Sequence, residues 1–194
     1  MTIRKGSGYG EPAARPPDLV VASDAEARRA LEQARLEGRP FPTLGLTGGD
    51  LCHTLGGEGS LDVAFPVDLG EVLVDGRLHL FVAHAVARTR TWSYAFAAMN
   101  AQWVGRWNAG PKAHPGDGLL DTYEARLAMG ERVKVRSRLH HGAHLPHPAI
   151  KERRTAALQV DLPRALSVVL DGDDVGPARH LSLRLRPDAV RVIV

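Results

Sequence analysis

Three short loops hold the residues whose types and spacing could do chemistry. The first is Gly48-Gly49-Asp50, which lies between an apolar run and a short helical pattern. A glycine pair in this position lets backbone N–H groups approach an anion such as phosphate, and a helix N-terminus favours negative charge. The alternative is an ordinary strand-to-helix turn with Asp50 near the helix cap.

The second loop, His114-Pro115-Gly116-Asp117-Gly118-Leu119, places a carboxylate on a tight, glycine-rich turn. Such a carboxylate can hold Mg²⁺ through one of its oxygens or through water. The alternative is a β-turn in which the Asp117 side chain bonds to nearby backbone.

The third loop is Asp171-Gly172-Asp173-Asp174. Asp-Gly between two strands usually forms a hairpin turn. Three carboxylates within four residues also repel one another, and this repulsion raises the pKa of at least one of them. Because a raised pKa suits a general base or a metal ligand, Asp171 and Asp173 are candidates for catalysis.

The first loop follows a βαβ-like beginning. Apolar runs at Leu19–Val21 and Thr43–Leu46 predict two buried strands. Between them, Ser23 and Glu26 form a capping box in which Glu26 is expected to reach the Ser23 amide, and a helical pattern follows. We therefore expect an α/β segment at residues 1–60.

The other two loops belong to a stretch of different character. Val67–Val74 and Leu78–Val86 are apolar runs joined by Asp75-Gly76, a strong hairpin signal. Further short apolar runs, separated by Gly and Pro, continue to the C-terminus. They predict an antiparallel sandwich or open barrel at residues 61–194, which makes the fold class α+β and mainly antiparallel β.

Composition limits the classes of protein that fit. The chain has no apolar run near the ~18 residues of a membrane helix, and its polar start lacks the apolar centre of a secretory signal. The formal net charge of +3 is too small to indicate nucleic-acid binding. The single cysteine cannot form an internal disulfide, which fits a reducing compartment. We expect a cytoplasmic protein with no transmembrane segment and no nucleic-acid partner.

A basic and histidine-rich stretch follows the second loop. Arg132, Lys134, Arg136 and Arg138 alternate with other residues. On a strand these cations would share one face and could meet phosphate or an anionic lipid surface, whereas on a helix they would spread around it. Nearby histidines suggest zinc, but the glycine and prolines among them favour an extended loop.

Aromatic residues crowd the span before this stretch, with tryptophans at Trp92, Trp103 and Trp107. Core and sheet packing accounts for such a group. The functional alternative is an apolar wall for an acyl chain or a partner protein.

The loops together resemble those of a known family. Asn100 and Pro111-Lys112-Ala113 precede Asp117-Gly118-Leu119-Leu120-Asp121. Leu170-Asp171-Gly172-Asp173 follows near the C-terminus, with Asp173 where the family has Glu. The pattern is similar to that of the bacterial lipid kinases of the diacylglycerol kinase and sphingosine kinase group, fold relatives of NAD kinase, from Leu19 to Val194.

The resemblance implies a β-sandwich of the lipid-kinase type, ATP and Mg²⁺ as cofactors, and a lipid substrate. Asp171, with Asp173 beside it, would take the proton from the lipid hydroxyl. Asp117 and Leu119 would hold the metal ion. The nucleotide side would comprise Asp24, Gly48, Gly49 and Asp50.

The departures from the family lie on the nucleotide side. Where the family has a Gly-Gly-Asp-Gly-Thr loop, this chain has Ala22-Ser23-Asp24-Ala25-Glu26, and Asp24 is the residue that it keeps. Glycine is needed there because backbone must lie against the triphosphate and a Cβ atom intrudes. Asp24 also has 23 residues ahead of it, so we expect half of the nucleotide cleft to be missing.

Three hypotheses follow. The first is a pseudokinase: a lipid-kinase-like protein without competent ATP binding that binds a lipid or a small phosphorylated ligand, or regulates a partner. The alternative is an active ATP- and Mg-dependent lipid phosphotransferase that uses Asp171 as base and that a homo-oligomer could complete. The third is a structural β domain whose Asp-Gly loops are hairpins. Convergence of Asp50, Asp117 and Asp171 on one cleft would favour the first two.

Overall fold

The structure, a computed structural model, describes residues 9–194, so the first eight residues of the polar start lie outside the described residues. The strands are β1 (Glu11–Pro12), β2 (Leu19–Val21), β3 (Leu44–Leu46), β4 (Val63–Val74), β5 (Arg77–Phe81), β6 (His84–Arg88), β7 (Tyr94–Met99), β8 (Trp103–Val104), β9 (Trp107–Asn108), β10 (Leu120–Arg126), β11 (Ile150–Thr155), β12 (Ala157–Leu170) and β13 (Asp173–Ile193). The helices are α1 (Asp24–Leu36), α2 (Asp50–Thr54) and α3 (Met129–Leu139). None of the helices in this part of the chain is long and apolar enough to cross a membrane.

Within the described residues, eleven strands form one continuous sheet, and β8 and β9 form a separate two-stranded one. The main path runs β1-β4-β13-β12-β6-β7-β10-β11, and its neighbouring strands are antiparallel throughout. β5 joins β4 through Asp75 and Gly76, both at positive φ (44° and 89°), as the predicted hairpin requires. The prediction of an α+β, mainly antiparallel β fold is confirmed.

The front segment forms the predicted strands and helix, with two differences. The prediction that Leu19–Val21 is buried is wrong for Leu19 and Val20, which are 43% and 52% exposed, because β2 lies at the edge of the sheet with β3 as its one partner among the described strands. The other difference is at the start of α1. Ser23 Oγ accepts a hydrogen bond from the Glu26 N–H (3.3 Å). The Glu26 carboxylate accepts from the Ala22 N–H (2.8 Å) and not from the Ser23 N–H as expected. β2 pairs with β3 in parallel, and β3 pairs in parallel with β13. The two predicted parts thus share one sheet, and the division at residues 1–60 and 61–194 stays a prediction.

Two long strands, β4 and β13, pass through two hydrophobic clusters. β4 contributes Leu69 to a cluster that includes Leu31 of α1, and Val72 to a cluster that includes Leu183 of β13. The pairing of β4 with β13 shifts register between Arg186 and Val190. Such an irregularity bends and twists a strand, so one strand can serve two cores. The sheet is therefore sandwich-like.

The structure departs from the sequence-based elements at one place and decides between two alternatives at another. Leu78–Val86, read as one strand, is broken at Val82-Ala83: β5 pairs with β4, whereas β6 pairs with β7 and β12. The basic stretch forms the helix α3, so its four cations spread around the helix and do not share one face. Sequence-based interpretation left both of these alternatives for that stretch open.

Candidate functional site

Asp171 sits in the turn between β12 and β13, with φ of 51° followed by 94° at Gly172. Its side chain turns inward and is buried. Oδ2 accepts from the Val82 N–H (2.8 Å), and Oδ1 accepts from the N–H groups of Ala83 (2.9 Å) and His84 (3.0 Å). The carboxylate therefore satisfies the backbone donors that the break between β5 and β6 releases from the sheet. Burial raises the pKa of Asp171, against the opposing effect of the His84 charge and of these three hydrogen bonds.

His84 connects this turn to the first loop. Its Nε2 lies 2.9 Å from Asp50 Oδ2, and its side chain is almost fully buried. Burial lowers the pKa of His84, but the hydrogen bond to Asp50 and the negative charge of Asp171 outweigh burial and leave the pKa above its ordinary value. Nδ1 of the ring has no hydrogen-bond partner among residues 9–194.

Asp24 is the first residue of α1, and its side chain lies at the N-terminus of α2. Its carboxylate accepts hydrogen bonds from the N–H of Asp50 and from the N–H of Leu51, the latter at 3.2 Å. Burial and the nearby charge of Asp171 raise the pKa of Asp24 to about 7, although the two backbone bonds oppose the shift. Because the first N–H groups of a helix are its anion-binding groups, a side chain of the protein already fills this anion site.

The two glycines of the first loop allow a close approach between backbone segments. A Cβ atom on Gly48 would lie 2.6 Å from the carbonyl oxygen of Ala22. A Cβ on Gly49 would lie 2.6 Å from Asp24 Oδ1, and Gly49 has a φ of 99°. In this structure both glycines serve the packing of the first loop against residues 22–24.

Three residues that the sequence predicted for the site, Asp24, Asp50 and Asp171, thus lie close to one another and to His84. We call these four residues the acidic–histidine cluster. Asp50 completes its hydrogen bonding by accepting from the Gly105 N–H (2.8 Å) through Oδ1. Sequence analysis did not single out His84 as a site residue. His84 interrupts the otherwise apolar run 80–87. This position was the sequence signal for a buried polar side chain that would need polar partners.

Asp117 and Leu119 lie in a second group. The Leu119 N–H donates to Asp117 Oδ1 (2.9 Å), which is the local side-chain turn considered as an alternative for this loop. The other carboxylate oxygen pairs with Arg154. Within residues 9–194 no group of three or more His, Cys, Asp or Glu side chains is arranged to hold a metal ion. Metal binding by Asp117 and Leu119 stays a prediction.

Asp68, which sequence-based interpretation did not single out, organises the second group. It accepts from the Gly118 N–H (2.7 Å) and the Asp188 N–H (2.9 Å), and burial raises its pKa to about 6. The fully buried Asn100 donates to the carbonyl oxygens of Asp68 and Val82 (both 2.8 Å). This asparagine therefore ties the second group to the strand break that Asp171 stabilises.

Asp173 pairs with two arginines of α1. Its Oδ2 accepts from Arg28 (2.6 Å) and from Arg29 (2.8 Å). Arg28 is buried, whereas about half of the Arg29 side chain is exposed. The ion pairs fasten the β12–β13 turn to the helix, and a catalytic role for Asp173 stays a prediction.

The mostly antiparallel sheet and the three helices of residues 9–194 make this an α+β protein with a β-sandwich-like domain. Comparison with protein families supports this class, because the model of the YegS C-terminal NAD kinase beta sandwich-like domain matches residues 71–194. The chain belongs to this family. The predicted resemblance is confirmed by this family model, and the solved structures below have a similar fold. No curated protein matches the chain.

Solved structures from Bacillus anthracis str. Sterne have a similar fold. One, described as a candidate diacylglycerol kinase, is 16% identical with a TM-score of 0.65, and the match covers 91% of this chain and 76% of that one. Another, described in the same way, is 13% identical with a TM-score of 0.59 and covers 79% and 69%. A third, described as a diacylglycerol kinase, is 14% identical with a TM-score of 0.53 and covers 79% and 67%. At these identities the likeness concerns the fold.

Proposed function

We propose that this lipid-kinase-like chain is a ligand-binding or regulatory homologue without competent ATP binding. The observation behind this proposal is the position of Asp24, whose carboxylate bonds to the first two N–H groups of α2. A nucleotide phosphate that used the same N–H groups would have to displace that carboxylate.

Charge adds to this steric argument. A triphosphate at the first loop would approach Asp24 and Asp50, and the carbonyl oxygen of Ala22 packs directly on Gly48. Phosphoryl transfer depends on positioning and on neutralising the charge of the phosphates. Carboxylates are negatively charged and a carbonyl oxygen carries partial negative charge, so these groups would repel the phosphates instead of neutralising them.

The surroundings of Asp171 support the same proposal. A general base needs an oxygen within hydrogen-bond reach of the substrate hydroxyl. The carboxylate of Asp171 is buried and already accepts three backbone hydrogen bonds. In this arrangement the Asp171 carboxylate holds the break between β5 and β6 and does not act as a base. We therefore expect a lipid or a small phosphorylated ligand to bind without receiving a phosphoryl group.

Thermal melting with added ligands tests the proposal. Binding to the native state raises stability by RT ln(1 + [L]/Kd), which is about 2.7 kcal/mol at 100 Kd. We expect no change in Tm with saturating Mg-ATP and an increase with a short-chain diacylglycerol. A clear increase with Mg-ATP, together with Mg-dependent phosphate incorporation into the lipid, would overturn the proposal. Absence of any increase with the lipid would contradict its ligand-binding part.

A second candidate function, an active Mg-ATP-dependent lipid phosphotransferase, is favoured by one observation. The acidic–histidine cluster brings Asp24, Asp50 and Asp171 together around His84, whose Nδ1 has no partner among the described residues. A histidine that contacts a carboxylate through one ring nitrogen and has the other unpaired can accept and pass on a proton. Because a homo-oligomer could complete the nucleotide side, phosphate transfer should be assayed over a range of protein concentrations.

Variants separate catalysis from folding in this assay. Transfer that is lost in His84→Gln and Asp171→Asn, while circular dichroism shows both variants folded, would support the active phosphotransferase. Absence of transfer at all concentrations by the parent chain would exclude it.

A further inference from the structure

An apolar groove lies between α3 and the turn that joins β6 to β7. Its volume is about 240 Å³, and its lining includes Trp92, Trp107, Leu127, Met129, Val133 and Arg136. Much of its rim is open: 75% of Met129, 68% of Val133 and 37% of Trp92 are exposed. Exposed apolar side chains that cluster in this way mark binding surfaces. We propose that this surface, the α3 groove, docks the protein on an anionic lipid bilayer.

The helix presents an apolar edge that its own packing does not use. Val135 is buried in the hydrophobic cluster beneath α3, and this contact fixes the rotation of the helix. Met129 and Val133 are four residues apart, so they lie one turn apart on the same side of α3. Since neither is covered by the described part of the chain, both are available to an apolar medium outside the protein.

The turn before β7 presents an indole at the same rim. Trp92 has a φ of 57°, a conformation that is strained for a bulky residue and that surrounding contacts must hold. The Trp92 N–H donates to the Thr89 carbonyl (3.0 Å), and the Arg88 guanidinium stacks 4.5 Å from the centre of the Trp92 ring. Trp92 also meets Trp107 edge-on, with 6.3 Å between the ring centres. Indole rings prefer the interface between a membrane and water.

Charge decides which occupant fits. Of the ten residues that line the groove, Arg132 and Arg136 are cationic and none is acidic. Arg132 donates to the Thr91 carbonyl (2.7 Å), and Arg136 lies 5.4 Å from the centre of the Trp107 ring. Arginine can lay its stem on apolar atoms while its guanidinium meets a phosphate oxygen. A surface that combines an exposed apolar rim with arginines complements an anionic bilayer.

Vesicle sedimentation with the full chain tests the α3 groove. The vesicles are phosphatidylcholine alone or phosphatidylcholine with phosphatidylserine, without diacylglycerol, so the result is independent of the ligand proposed above. We expect several-fold more protein to sediment with the vesicles that contain phosphatidylserine, and less as salt is raised. Equal sedimentation with both kinds of vesicle, or none with either, would overturn the proposal.

Variants locate the interaction. We expect two variants each to lose most of the sedimentation with vesicles. One is the double substitution Met129→Ser/Val133→Ser, at two exposed positions, and the other is the single substitution Arg136→Gln. Lys134→Gln is the matched control, because Lys134 is exposed, lies two residues from Arg136 on the helix and does not line the groove. Equal losses in Arg136→Gln and Lys134→Gln, or full binding by the double variant, would contradict docking through this surface. A dimer in analytical ultracentrifugation that the double variant abolishes would instead identify a second copy as the occupant and overturn the bilayer.

Discussion

The imidazole Nε2 of His84 lies 2.9 Å from the carboxylate of Asp50, a residue 34 positions earlier in the chain. The backbone N–H of His84 donates to the side chain of Asp171, which lies 87 positions later in the chain. One buried histidine thus joins the first loop to the third. Because burial strengthens hydrogen bonds and penalises unpaired polar atoms, changes at these positions should affect stability measurably.

Asp171→Asn should lower the free energy of unfolding by about 1–3 kcal/mol. An amide has one acceptor oxygen and turns an NH₂ group toward backbone donors, so at least one of the N–H groups of Val82, Ala83 and His84 loses its partner. Urea unfolding measures the change. The control Asp161→Asn removes an exposed carboxylate and should change stability by less than about 1 kcal/mol. Equal stability of Asp171→Asn and the parent chain would show that these bonds do not hold the strand break.

Gly48→Ala should destabilise the fold by about 1–3 kcal/mol, because the added methyl group would lie 2.6 Å from a backbone oxygen of Ala22. Gly130→Ala is a matched control, since Gly130 lies in α3 and a Cβ there meets nothing within 4 Å. In a helix this control should add up to about 1 kcal/mol of stability. Denaturant midpoints of both variants against the parent chain test the pair. A Gly48→Ala variant as stable as the parent would mean that the two loops can move apart freely.

The contribution that Asp24 and Asp68 make to stability should fall as pH rises from about 4 to about 7. Asp24 has a pKa of about 7 in the folded protein against 3.8 for the ordinary carboxyl group, and Asp68 has about 6. Below the ordinary carboxyl pKa of 3.8, both groups are protonated in the folded and the unfolded state, and their stabilising contribution is fully present. As pH rises, the unfolded chain loses its protons first, so stability is lost until the folded pKa is passed.

Asp24→Asn tests the share of Asp24 in this pH dependence. The variant should flatten the decline, since each unit of pKa shift corresponds to about 1.4 kcal/mol. Unfolding by urea at a series of pH values gives the slope. The exposed Asp62→Asn should leave the slope of the parent chain unchanged. The same slope in Asp24→Asn as in the parent would show that this carboxyl group titrates normally.

Two arginines that bind the same oxygen of Asp173 should differ in importance. Arg28 is 6% exposed and Arg29 is 55% exposed. Arg28→Met should cost about 2 kcal/mol, because it leaves charge-assisted bonds to Asp173 and Glu32 unmade in a partly buried place. Arg29→Met should cost less than about 1 kcal/mol. Chemical denaturation compares the two, and equal losses would contradict a structural role for burial at this ion pair.

Turns and local caps were predictable from the sequence. Asp75-Gly76 and Asp171-Gly172 both adopt the positive φ values that a two-residue hairpin needs. Such turns are decided by neighbouring residues, because glycine and aspartate tolerate a backbone conformation that most residues avoid. The Ser23 cap of α1 follows in the same way, although the exact N–H group that Glu26 reaches, that of Ala22, was not predicted.

Partners across the fold were not predictable. The sequence marked Asp171 as a candidate base, but it could not show that the run Leu78–Val86 breaks and offers its N–H groups to that carboxylate. It marked Gly48 and Gly49 as an anion-binding pair, but it could not show that the Asp24 side chain accepts hydrogen bonds at the N-terminus of α2. Each of these contacts joins segments that are far apart in the chain.

The sequence by itself determined the class of fold, the positions of the turns and the resemblance to lipid kinases, because periodicity, turn residues and motif spacing are local properties. Only the tertiary structure decided what the acidic residues contact. Packing brings Asp24, Asp50 and Asp171 around His84 and turns Asp173 toward Arg28. A carboxylate has the same chemistry in either place, and its surroundings decide whether it faces a ligand or the backbone of its own chain.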